Sequence, residues 1–397
     1  MNADAERWRP PGAQSGPSGP SVAQSPAAKP ARSRLDAIDW LRGLAVVLMI
    51  QTHLYDSWAS PAAKASAAYW WTRYLGGVPS RLFLLLVGVS MAIGFERQLE
   101  RGVARAAIVR GSARRGLEIL GLAYLFRFQE YALAGFWGPV GDLFRIDILN
   151  CIGASMILVA FVAAPRAGRP QYAVALAAAA VFVGLGAVIG PARFPTFLPV
   201  TLTAYVGGQR PMSWFGLFPW AAWSFVGVAV GHLWVRASRD RRRETIAYAL
   251  TGAAGLALMG AVILVRKWNP YVIRYPNEVV QQMGPGTFFY RLGLNFLFAF
   301  VGYAVTRTLG DRFSIMRQLG RTSLLVYWIH VDLCYGLISR SLHHHLDMTQ
   351  ATIGFVLMTG AMLLVSLAKT TYWDPWRRRR PRRAAPAADA HARASLP

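Results

Sequence analysis

Residues 34–53 read RLDAIDWLRGLAVVLMIQTH. The stretch opens with charge, runs into an apolar segment and closes on a histidine. About 20 predominantly apolar residues suffice to cross the ~30 Å hydrocarbon core of a bilayer. Ionisable groups at that depth cost a few kcal/mol or more, so Arg42 and His53 read as functional rather than decorative. At 3.6 residues per turn, Asp39, Arg42, Val46, Ile50 and His53 share one helix face. Arg42 and His53 are then about 16 Å apart along the axis, which suits a long ligand lying beside the helix. Gly43, next to that face, lets another helix or a ligand approach closely.

The rest of the chain repeats the apolar theme. Of 397 residues, 54% are hydrophobic and 16% charged, which argues against two or three soluble domains. The predicted fold class is an all-α polytopic membrane protein with about 10 transmembrane helices, within a range of 9–11. The spans fall near 38–56, 79–96, 116–134, 147–165, 172–190, 217–235, 246–265, 287–306, 322–340 and 351–369. An eleventh, re-entrant piece would lie in 191–217. Alternation places 31 of the 43 Lys and Arg on one side, which predicts both termini in the cytoplasm. The net charge of +24 therefore reads as topology, and no nucleic-acid partner is expected.

Residues 1–33 are rich in Pro, Ala, Ser and Gly and read as a disordered cytoplasmic leader. Residues 34–370 form the transmembrane domain. Residues 371–397, with RRRRPRR at 377–383, read as a basic cytoplasmic tail beside anionic lipid headgroups. Cys151 and Cys334 lie in apolar runs and imply no disulfide framework. The chain holds no P-loop, GxSxG or HExxH, so the common nucleotide-hydrolysis, serine-hydrolase and zinc-protease routes lack a motif. The run His343–His345 has no partners at ligand spacing, and no metal is expected.

A second set of polar residues sits in the later spans. In GRTSLLVYWIHVDLCYGLIS (320–339), Tyr327, His330 and Cys334 share a face while Asp332 points elsewhere. Mid-bilayer depth for His330 demands a polar partner or a water-filled cavity. Arg81 and Ser90 belong to span two, and Arg291 and Asn295 form an i, i+4 pair in span eight. Arg145, Asp147 and Asn150 fall in RIDILN, where Asp147 can simply cap the following helix. The loops assigned to the outer side, such as YWWTRYLGGVPSR (69–81), are rich in aromatics that suit either an interfacial belt or a sugar-stacking mouth.

The opening stretch, PSRLFLLLVGVSMAIGFERQLERG (79–102), DILNCIGASMIL (147–158), FGLFPWAAWSFVGVAVGH (215–232) and LGRTSLLVYWIHVDLCYG (319–336) together resemble the heparan-α-glucosaminide N-acetyltransferase catalytic-domain family, within the wider superfamily of transmembrane acyltransferases. The resemblance implies a multi-span enzyme that moves acetyl from cytosolic acetyl-CoA to a glycan or sugar acceptor across the membrane. It also implies a basic residue, ten intervening residues and a histidine in the first span, a spacing that Arg42 and His53 match. One departure stands out. Animal lysosomal members place their proposed active histidine in the loop after the first span, whereas here no histidine occurs between His53 and His232.

On that footing Arg42 and Asp39, with Arg114 and Arg115, are assigned to the CoA phosphates and their surroundings, for which a guanidinium is well shaped. His53 is assigned as general base or transient acyl carrier. His330 and Tyr327 are assigned to orient the acceptor or steady the oxyanion. Arg81, Arg145, Asp147, Asn150, Arg291 and Asn295 are assigned to the acceptor. The expected location is a bacterial inner membrane, with membrane lipids as neighbours and a homo-oligomer left open. A transporter or flippase for a sugar- or lipid-linked substrate is the alternative from another class, using the same buried histidines and arginines as a relay or clamp.

Overall fold

A computed structural model of the chain describes residues 32–137, 139–165, 170–189, 197, 199–207, 213–268 and 284–374. Nearly all of the leader, most of the basic tail, residues 191–196, 198 and 208–212 of the 191–217 segment and the greater part of the 266–287 segment lie outside the described residues. Among the described residues the chain is helical, and its β-structure amounts to isolated bridges such as Ala59 with Leu346.

In chain order the elements are α1 (Arg32–Trp58), α2 (Pro61–Lys64), α3 (Ala67–Gly76), α4 (Pro79–Glu100), α5 (Arg105–Leu133) and α6 (Ile148–Ala163). They continue with α7 (Gln171–Ile189), α8 (Val200–Gly207), α9 (Leu217–Ala237) and α10 (Arg241–Trp268). The last are α11 (Pro285–Leu309), α12 (Ile315–Arg321), α13 (Ser323–Tyr335) and α14 (Met348–Ala368). Nine of the ten apolar segments drawn from the sequence coincide with one of these helices, while 322–340 holds α13 up to Tyr335 and then breaks at Gly336 into a 3-10 turn over Leu337–Leu342. Five stretches among the described residues are long and apolar enough to cross a membrane by themselves, which makes this an integral membrane protein. They are Ala67–Glu100, Leu217–Ala237, Arg241–Trp268, Pro285–Leu309 and Met348–Trp373. The helices α6, α7 and α13 are apolar but shorter in that measure.

Two local results differ from the sequence expectation. The stretch 69–81, drawn as a loop, is mostly α3, started by the Ser66 side chain accepting from the Tyr69 amide at 3.2 Å. Within the 191–217 segment the described residues include an eight-residue helix, α8, and Ser213, which bridges to Ile146.

Two apolar clusters organise the interior, and α1 belongs to both. Its first half (Ile38, Leu41, Ala45) packs into a cluster built on α4, α6, α7, α9 and α11. Its second half (Val46, Met49, Ile50, Leu54) packs with α13 and α14. Close helix pairs hold the frame. A Cβ on Gly43 would lie 1.8 Å from the Met316 carbonyl oxygen, and one on Gly320 would lie 1.8 Å from that of Asp39. The neighbour that Gly43 admits is therefore a helix, α12, and only a side chain of hydrogen fits at the crossing. The same device joins α4 to α9, where a Cβ on Gly88 would lie 1.9 Å from the Ser224 carbonyl oxygen. There the Ser224 hydroxyl also donates to the Leu84 carbonyl at 3.0 Å.

Candidate active site

Between the two clusters runs a cavity of about 1160 Å³ with α1 along its wall. Its lining passes from Gln98, Ser112 and Arg115 at one end to Arg42 and Ser90, then to Thr52 and His53. It continues to Asp56, Arg127, Glu130, Arg145, Asp147 and Trp214 at the other end. Phe83, Leu86, Val87, Phe95, Ile152 and Met156 supply apolar walls between the polar ends. Arg42 and His53, placed on one helix face by their spacing, both open onto this space.

Arg42 is positioned from two sides. It donates to Asp39 Oδ1 at 3.2 Å and to Ser90 Oγ at 2.7 Å, while Ser90 in turn donates to the Leu86 carbonyl at 2.6 Å. Asp39 itself does not line the cavity. It completes an ion-pair web with Arg321 at 3.8 Å, and Asp36 pairs with Arg317 at 3.3 Å. Arg115 lines the cavity and pairs with Glu118 at 3.0 Å, whereas Arg114 is exposed beside the same carboxylate at 3.4 Å and stays outside.

His53 meets two rings at its end of α1. Its ring centroid lies 5.4 Å from that of His330 and 5.5 Å from that of Tyr335, both edge-on. His53 Nδ1 is buried without a hydrogen-bond partner among the described residues. His330 is fully buried and does not line the cavity. Its Nδ1 lies 2.7 Å from the Val326 carbonyl, which can only accept, so the hydrogen sits on Nδ1 and the neutral ring keeps a lone pair at Nε2. That Nε2 has no partner among the described residues. Tyr327 does line the cavity, with its ring 5.9 Å from that of His330. Tyr335 donates to Asp56 Oδ2 at 3.0 Å, at the cavity edge.

The far end is a cluster of charge. Arg127 pairs with Glu130 at 2.5 Å and also with Asp147, its side chain only 11% exposed. Asp147 caps α6 as its sequence context predicts, in a capping box with Asn150. Asn150 is thereby tied to structure: its Oδ1 accepts from the Asp147 amide at 3.1 Å and its Nδ2 donates to Tyr205 at 3.3 Å. The Nε atoms of Arg127 and Arg145 are buried with no partner among the described residues. Behind this cluster Gln129 donates to Asp332 at 2.6 Å and accepts from Trp328 Nε1 at 2.8 Å, which locks α5 to α13.

The structure thus gathers Arg42, Arg115, His53, Tyr327, Arg145 and Asp147 around one space. Arg81, Arg291 and Asn295 stand apart from it, packed where α3, α4 and α11 meet. Sequence reasoning missed Arg127, Glu130, Gln129, Asp56 and Tyr335. Arg127 and Glu130 carried a usable signal, an i, i+3 charge pair at the end of an apolar run. Tyr335 and Asp56 carried none, because they meet only through the approach of α1 to α13. His343 and His344, set aside in the sequence, bond to the nearby Ser339 at 3.1 Å and, across the fold, to Lys64 at 3.3 Å.

The sequence profile described as "Heparan-alpha-glucosaminide N-acetyltransferase, catalytic" matches residues 34–266, more than half of the chain. That span runs from the start of the α1 stretch almost to the end of α10, and includes Arg42, His53 and the far charge cluster. A search of curated proteins finds no match.

Proposed function

Because the chain belongs to the heparan-alpha-glucosaminide N-acetyltransferase catalytic family, a family of membrane acetyltransferases, we propose that it moves acetyl from cytosolic acetyl-CoA to a hydroxyl or amino group of a sugar across the membrane. The observation that carries this reading is the continuous cavity holding Arg115 and Arg42 toward one end, His53 midway and Arg127–Asp147 at the other. In the proposed topology of about ten spans with both termini cytoplasmic, the Arg115 end opens to the cytosol and the Asp147 end to the far side. A bacterial inner membrane is the proposed location.

Arg115 and Arg42 hold the CoA phosphates, and Ser90 and Asp39 aim the Arg42 guanidinium. The acyl chain end reaches His53 along the apolar wall of α4. The acceptor, held by Arg145 and the Arg127–Asp147–Glu130 group, presents its O–H or N–H to His53. As the acceptor atom attacks the thioester carbonyl carbon, a C–O or C–N bond forms and the C–S bond breaks. The acceptor proton passes to His53 and then to the departing CoA sulfur, so the histidine is unchanged at the end. His330 offers only a lone pair at Nε2 while neutral, so it steadies the protonated face of His53 and is no oxyanion donor. The Tyr327 hydroxyl, on the cavity wall, takes the oxyanion role.

Release of CoA thiol from acetyl-CoA by purified protein, wild type against His53→Ala, tests the chemistry. Mass spectrometry of envelope glycans with and without the protein identifies the acceptor by an acetyl-mass difference. Unchanged thiol release in folded His53→Ala protein would remove His53 from the reaction. No specific observation favours the transporter alternative.

A further inference from the structure

Arg81 and Arg291 lie side by side at the start of α4 and α11, away from the cavity lining. A Cβ built on Gly77 would meet Arg81 Nη1 at 3.1 Å and Arg291 Cζ at 3.1 Å, so both guanidinium groups pack tightly against the bare backbone of Gly77. Arg81 is 7% exposed, and its guanidinium carbon sits 4.9 Å from the Trp220 ring centroid. Arg291 is half-buried over the Tyr74 ring at 4.5 Å. Neither forms an ion pair with a carboxylate among the described residues. Each donates to one backbone carbonyl, Arg81 to Gly77 and Arg291 to Tyr74. A guanidinium has five N–H donors, so each arginine can donate further bonds beyond that one. One turn along the same face of α11, Asn295 is 1% exposed and its Nδ2 also lacks a partner among the described residues.

Capping of the last carbonyls of α3 explains one donor from each arginine. It does not explain two adjacent cations, one buried and one half-buried, without a counter-charge among the described residues, an arrangement that like-charge repulsion and desolvation both oppose. Two converging guanidinium groups fit a tetrahedral oxyanion carrying one to two charges, which accepts bidentate bonds from each. Gly76, Pro79 and Ser80, which flank the pair, line the cavity, and the exposed Trp70 and Trp71 of α3 suit headgroup depth. We infer that Arg81 and Arg291 with Gly77 form a phosphate-binding site at the rim of the cavity. It takes a phosphate ester, carried either by a membrane lipid headgroup or by a phosphorylated acceptor. The placement at the far face rests on the proposed topology; the anion binding does not rest on acyl transfer.

The test uses full-length protein in detergent without any acyl donor. Inorganic diphosphate at constant ionic strength is followed by the thermal unfolding midpoint, and retained phosphatidylglycerol by native mass spectrometry against phosphatidylcholine. Wild type should show saturable stabilisation or retention of the anionic lipid. Arg291→Gln should weaken it about tenfold, the value of one lost charge-assisted bond. Gly77→Ala, which keeps both charges but pushes the two guanidinium groups out of place, should weaken it as well. A response to diphosphate alone assigns a soluble phosphate, and lipid retention assigns a headgroup. If wild type responds to neither probe, or if folded Arg291→Gln and Gly77→Ala both respond like wild type, the site does not exist. Because no acetyl-CoA is present, failure here leaves the acyltransfer reading standing, and the reverse also holds.

Discussion

Replacing Arg42 by Gln separates donor binding from folding. The guanidinium makes two side-chain contacts, to Asp39 at 3.2 Å and Ser90 at 2.7 Å, and is 32% exposed. At that exposure the ion pair is worth no more than about 1 kcal/mol. Asp39 moreover keeps Arg321 at 3.8 Å. Stability should therefore change by less than about 1 kcal/mol. A charge-assisted contact to a CoA phosphate, by contrast, is worth about 1.5–3 kcal/mol, so the KM for acetyl-CoA should rise about 10- to 150-fold. The assay is initial-rate thiol release across a range of acetyl-CoA, with CoA competition to report binding directly, since KM equals Kd only when chemistry is slow. Arg42→Lys should recover part of the loss, because a point charge replaces the fork without its second bond. An unchanged KM with a reduced kcat would refute donor binding and leave Arg42 as a brace between α1 and α4.

The complementary variant is His53→Ala, which should lower kcat by about 10²–10⁴ with little change in acetyl-CoA KM, read in the same assay. At the far end, Asp147→Ala removes both a helix cap worth about 1 kcal/mol and a partner of the nearly buried Arg127, whereas Asp147→Asn keeps the cap. Thermal unfolding in detergent should rank wild type above Asn above Ala, and equal Asn and Ala midpoints would discard the cap's contribution. Gly320→Ala should destabilise by about 1–3 kcal/mol or more, because its Cβ would meet the backbone oxygen of Asp39. Gly121→Ala, which meets nothing within 4 Å, should be neutral or stabilising by up to about 1 kcal/mol in the same melt.

Much of the architecture was legible in the residues because membrane helices announce themselves locally. Apolar runs of sufficient length have one viable backbone solution in a bilayer, and each drawn segment holds a helix, although the one in 322–340 stops at Tyr335. The face shared by Arg42 and His53 follows from 3.6-residue periodicity alone, and the cap at Asp147 from an acceptor side chain just ahead of an apolar run. Local pattern failed where the aromatic stretch 69–81 read as a loop: Tyr and Trp suit a belt whether or not the backbone coils, and the Ser66 cap decided the matter.

Tertiary structure decided which polar residues work together. Periodicity places His330 and Tyr327 on one face of a helix, but only packing turns Tyr327 to the cavity and buries His330 behind His53. It likewise carries Arg115 into the cavity and leaves Arg114 outside, and it divides Arg145 and Asp147 from Arg81 and Arg291, which the sequence had placed in one acceptor group. The physical reason is that a helix face is a local property, while a cavity is the space left between faces. Gly43 and Gly320 bring α1 and α12 into backbone contact, and the space that remains along α1 is where Arg42 and His53 meet a common ligand path. Sequence alone determined that this chain carries charge and imidazole along one membrane helix; the crossing of its neighbours determined what those groups face.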